Sequence, residues 1–176
     1  MTPENFFSRI VEPTLQYMAA SPTIAIPVTD EARVLVMTIP GQESRWKERR
    51  QIGIGEYYPQ KVGARGYSQF ESTWGGPVAI DDVLQSTPRQ IAAVCASLDI
   101  PCDRHSLYEA CAWNDTLSCA MTRLLLWIDP RRLPAVGDKE GAWSYYLRCW
   151  RPGAPHRASW DGLYDQSLAA MGKGTS

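Results

Sequence analysis

Apolar residues recur at helical rather than strand spacing along most of the chain. After Thr2 come Pro3 at a first helical position, an acidic first turn, and Phe6, Ile10 and Tyr17 at intervals that place them on one face. This predicts a helix as far as Ala20, kinked at Pro13, whose ring opposes the carbonyl one turn earlier. Asp30 caps a second helix, in which Leu35, Ile39, Glu43 and Trp46 are spaced by four, four and three. Glu43 therefore falls on the apolar stripe, directly after the helix-breaking pair Pro40-Gly41.

From Gln51 to Gly66 four glycines and a proline interrupt any period, which predicts a loop with at most a short β-hairpin. Ser68 and Glu71 have the S-x-x-E spacing of a capping box, opening a short helix that ends near Gly75-Gly76. Thr87-Pro88 starts a helix through about Leu98, and two more follow at about Asp103 to Ala112 and Asn114 to Ile128. Ala142 to Trp150 and Trp160 to Met171 are the last helical stretches, separated by the turn-rich "RPGAPHR". The expected fold is mainly α, a single domain over residues 1–176.

Composition narrows the function. A chain of 176 residues with 44% hydrophobic content and 21% charged residues can bury a sizeable core. A net charge of −1 argues against a general nucleic-acid binder, which carries a basic excess. No apolar run reaches membrane-spanning length, and the first twenty residues have neither a basic n-region nor an apolar h-region. The five cysteines are odd in number and lack C-x-x-C spacing, so they read as small buried apolar residues of a protein made in a reducing cytosol. His105 and His156 have no partner at metal-ligand spacing, and no metal or cofactor is expected.

The chemistry centres on Glu43. A carboxylate on an apolar helix face loses water, so its pKa rises and it can stay protonated near neutrality, as a general acid must. Pro40 and Gly41 could open the helix beside it for a substrate. The plain alternative is an i,i+4 ion pair with Lys47 on a solvated face. Trp46 and Trp113 are candidates for stacking on sugar faces, whereas Trp127, within "RLLLWI", reads as core. The basic cluster Arg45, Lys47, Arg49 and Arg50 could meet anionic groups of a partner, or simply form a solvated helix end.

The pair "QES" at Glu43 followed by "ARGYSQF" at Ala64 to Phe70 resembles the lysozyme-like superfamily of lytic transglycosylases and goose-type lysozymes. The longer stretches "WNDTLSCAMTRLLLWIDPRRLP" and "AWSYYLRCWRPGAPH" look like small phage and prophage proteins related to it. Tyr67-Ser68 stands where that pattern has Leu-Met, and its later Ala-Tyr-Asn-Ala-Gly motif survives only as Ala112-Trp113-Asn114-Asp115. The resemblance implies a lysozyme-like helical domain, Glu43 as catalytic acid, and Tyr67, Ser68, Gln69 and Asn114 lining the cleft with the two tryptophans. It further implies peptidoglycan glycan strands as substrate and a virion-associated enzyme acting at the cell wall, with other virion proteins as further partners. If the capping box holds Glu71 away from the sugar, a single glutamate remains and transglycosylation is expected. The rival is a virion component or glycan-binding module with the same fold and no turnover.

Overall fold

In the computed structural model, residues 1–51, 63–71 and 79–174 are described. The fold is mainly α, and among the described residues there is no sheet, only isolated antiparallel bridges between Arg50 and Arg65 and between Arg65 and Phe70. No helix among them is long and apolar enough to cross a membrane.

The chain opens with α1 (Pro3–Phe6), a π-helical turn (Phe7–Val11) and α2 (Glu12–Ala20). The wide turn is how the expected disruption at Pro13 is absorbed. Pro13 has no N–H to give one turn back, and the Glu12 N–H reaches Phe7 O instead, five residues away. Phe6 and Ile10 are buried as expected; Tyr17 is half-buried, its hydroxyl donating to Ser97 Oγ at 2.7 Å.

α3 (Asp30–Ser44) is capped one residue earlier than expected, by Thr29, whose Oγ1 accepts from Ala32 N. After it come α4 (Ala79–Ser86), α5 (Pro88–Leu98), α6 (Arg104–Cys111) and α7 (Asp115–Ile128). Asp103 and Asn114 cap α6 and α7 through their side chains. α8 (Lys139–Trp150) and α9 (Arg157–Ala170) each begin three residues before the expected start. α4 escapes the sequence reading because "AIDDVLQS" is only eight residues long and buries just Ile80 and Val83.

Two apolar clusters form the core. One joins α1, α3, α8 and α9 around Trp160, Tyr146 and Tyr164; the other joins α4 to α7 around Ile80, Ile91 and Leu124. α7 supplies residues to both, Cys119 and Leu126 to the first and Met121 and Leu125 to the second, and so ties them together. Trp127 departs from expectation: it is 45% exposed, because the last turn of α7 runs past the core, and its ring takes the Arg123 guanidinium on its face.

Candidate functional site

α3 continues through Pro40 and Gly41 instead of opening there. The glycine has another use. A Cβ at position 41 would lie 2.4 Å from the Trp46 ring, so its absence lets the indole fold back onto the helix. Arg45 and Trp46 make that reversal in the left-handed region, at φ 56° and 55°, a strain of about 1 to 3 kcal/mol each. The indole N–H donates to Met37 O at 2.9 Å, which holds the turn closed. Trp46 is thus core, at 3% exposure, and offers no face to a sugar.

The same helix end presents Glu43. No ion pair with Lys47 forms among the described residues; the carboxylate instead accepts a 2.6 Å hydrogen bond from the Tyr146 hydroxyl. Tyr146 is buried in an aromatic group, with ring centroids 5.1 Å from Trp160, 5.3 Å from Trp143 and 6.5 Å from Trp150. Burial raises the Glu43 pKa to about 7, with a smaller rise from the charge of Glu71, against the lowering effect of the Tyr146 bond.

Gln69 and Glu71 reach this place by a tight turn. Arg65 and Phe70 exchange backbone hydrogen bonds at 2.8 Å, and Gly66 sits at φ 72° with Ser118 Oγ only 2.4 Å from where a Cβ would lie. Only glycine allows the turn to dock on α7 so closely. Ser68 goes inward, sharing a 2.6 Å hydrogen bond with Thr122 Oγ1, so the expected capping box does not form and residues 68–71 are not helical. The remainder of that expected helix, and most of the expected Gln51 to Gly66 loop, lies outside the described residues. Gln69, itself left-handed at φ 53°, gives its amide nitrogen to Gly66 O at 2.8 Å.

Two concavities meet at Glu43, Gln69 and Glu71. One, of about 440 Å³, extends under Tyr146, Trp150 and the 151–156 turn; the other, of about 500 Å³, extends past Arg45, Lys47 and Glu48. Gln42 fixes the first wall, donating to His156 O at 3.0 Å and accepting from Ser159 Oγ at 3.1 Å. Trp150 Nε1 donates to Ser68 O at 3.0 Å, joining α8 to the turn.

Of the expected site residues, the structure brings Glu43 and Gln69 together. Tyr67 is buried edge-on to Phe6, with Arg49 over its ring, and Ser68 is buried against α7. Asn114 caps α7, its Oδ1 accepting from Leu117 N at 2.9 Å. Trp113 is 64% exposed and lines neither concavity. Arg49, from the basic cluster, is tied through two 2.7 Å hydrogen bonds to Asp115. The sequence reading missed Tyr146 and Trp150. Their spacing with Trp143, at i, i+3 and i+7 on one face of α8, was the signal that could have found them.

No group of histidine, cysteine and acidic side chains suited to a metal ion occurs among the described residues. No known protein family matches the chain, and neither a curated protein nor a solved structure matches it.

Proposed function

We propose that the protein cleaves glycosidic bonds in peptidoglycan glycan strands, with Glu43 as the general acid. The observation that carries this reading is a half-buried carboxyl with its pKa near 7, held by Tyr146 at the junction of two concavities. Such a group is protonated often enough near neutrality to transfer a proton, and acidic enough to give it up. The resemblance of "QES" and "ARGYSQF" to lytic transglycosylases and goose-type lysozymes supplies the substrate class, the lysozyme-like fold and a bacteriophage context at the cell wall.

In this mechanism Glu43 protonates the leaving glycosidic oxygen while positive charge develops on the sugar ring. Glu71 has no capping box with Ser68 to close, since Ser68 is committed to Thr122, and it lines both concavities. It is the second carboxylate that a hydrolase needs, as nucleophile or to activate water. The reading accordingly favours hydrolysis over the single-glutamate transglycosylation expected from the sequence. Gln69 lines the groove beside both acids, and its amide nitrogen fixes the shape of the turn that carries Glu71.

A zymogram on purified peptidoglycan tests the proposal. Clearing by the wild-type protein and its loss in Glu43→Gln are expected. A well-folded wild type that binds peptidoglycan without clearing it would favour the non-catalytic glycan-binding alternative.

A further inference from the structure

A third cavity, of about 670 Å³, shares no lining residue with the other two. It lies where the segment after α2 meets the end of α7, the 129–135 segment and Tyr145 of α8. Its volume falls in the range of small-molecule sites. Its walls are largely apolar, formed by Pro27, Leu126, Leu133 and the rings of Trp127 and Tyr145.

Thr29, Glu31, Asp129, Arg131 and Arg132 also line it, but Arg123 is the one charged side chain there that is buried. The residue is only 3% exposed, and its Nε and Nη1 are buried without any hydrogen-bond partner. Its Nη2 donates to Pro27 O at a long 3.4 Å, and Trp127 covers its face with 5.2 Å between the guanidinium carbon and the ring centroid. Buried arginines are ordinarily paired, because an unpaired buried charge costs several kcal/mol. Two carboxylates line the cavity, Glu31 and Asp129, but neither pairs with it; Asp129 accepts from Arg148 and from Arg131 N. Unmatched donors on a buried cation beside a cavity are a built place for an anion.

The walls indicate which anion. Apolar surfaces suit a ligand with an apolar body, and one buried guanidinium, with Arg131 and Arg132 offset by Glu31 and Asp129 on the rest of the lining, suits a single negative charge. We propose that this cavity binds an organic carboxylate, with the carboxylate on Arg123 and an apolar body against Leu126, Leu133 and Trp127. A free small acid and the C-terminal carboxylate of a peptide share that chemistry. The proposal is independent of the glycan-cleavage reading.

The test is calorimetric titration of the whole protein with 4-phenylbutyrate and with N-acetyl-leucyl-alanine, each beside its carboxamide. At least one carboxylate is expected to bind saturably, and its amide at least tenfold more weakly. Arg123→Met should weaken binding at least tenfold while the thermal midpoint holds or rises, since an unpaired buried charge is removed. Leu133→Trp, which narrows the cavity and leaves the Arg123 side chain in place, should weaken it similarly. Tighter binding of phenylbutyrate identifies a small-acid site; tighter binding of the dipeptide identifies a chain terminus. Saturation by neither carboxylate, equal binding of acid and amide, unchanged binding in a folded Arg123→Met protein, or Arg123-dependent binding of inorganic phosphate alone would each overturn the proposal. If Arg123→Met does not fold, unchanged binding in Leu133→Trp does the same.

Discussion

The Tyr146 hydroxyl donates to the Glu43 carboxylate at 2.6 Å, across 103 positions of sequence and between two helices. Tyr146 is held by the tryptophans around it, so the carboxylate is oriented by a group that is itself fixed. The bond favours the charged form, against burial, which favours the neutral one. Removing it with Tyr146→Phe should move the descending limb of the kcat/KM profile to higher pH and lower the maximum by roughly tenfold, with a loss of about 1 to 3 kcal/mol in stability. A pH–rate profile with unchanged limbs would show that the bond does not tune the acid.

Glu43 also predicts a pH dependence of stability. Its folded pKa, about 7, lies above the ordinary 4.5, so between these values the folded protein holds more of this proton than the unfolded chain. Its contribution is fully favourable below about 4.5, declines as pH rises through this window, and is a constant penalty above about 7. Glu43→Gln should therefore be more stable than wild type at pH 8, by about 2 to 3 kcal/mol at most, with the gap closing by pH 5. Urea denaturation at the two pH values checks this; a gap that does not narrow on acidification counts against it.

Glu71 is exposed and caps nothing among the described residues, so Glu71→Gln should change stability by no more than about 0.5 kcal/mol. Its negative charge helps raise the Glu43 pKa, and the substitution should shift the descending limb to lower pH. A hydrolase using both carboxylates should lose roughly a hundredfold or more in rate and should leave reducing ends. Mass spectrometry of the digest reads this directly. Anhydromuramyl ends, heavier by no water, together with full activity of the variant, would restore the single-glutamate route.

Gly41→Ala pits helix propensity against packing. Alanine gains about 1 kcal/mol in a helix interior. The new methyl group would nevertheless meet the Trp46 ring at 2.4 Å, and overpacking costs about 1 to 3 kcal/mol. Net destabilisation, with a shift in the fluorescence of the buried Trp46 measured in a background lacking the other tryptophans, is expected. A variant more stable than wild type would show that the indole moves aside freely.

All five cysteines are unpaired, and Cys102 alone is exposed. Alkylation of the native protein should modify Cys102 first, with the other four reacting only after denaturation, since burial raises the thiol pKa of Cys95, Cys119 and Cys149 to about 12 and of Cys111 further. Mass spectrometry after timed alkylation gives the order.

The sequence by itself determined most of the longer helices, because caps and apolar spacing act within four residues: α6 and α7 begin within one residue of the expected Asp103 and Asn114, and Leu35 and Ile39 of the apolar stripe are buried along α3 with Glu43 half-buried at its end. It also placed the carboxylate of Glu43 on that stripe. Tertiary structure decided the rest of the candidate site. The Ser68-x-x-Glu71 spacing permits a capping box, but Gly66 lets the turn dock on α7, where Thr122, 54 positions away, takes the Ser68 hydroxyl and leaves Glu71 on the groove. Trp46, expected to stack on sugar faces, is core because a left-handed reversal lays it on Gly41. Tyr146 gained its partner only when α8 packed beside the end of α3. Local rules fix which face of a helix is apolar; which distant side chain meets that face depends on how the helices pack, and no short-range pattern encodes it.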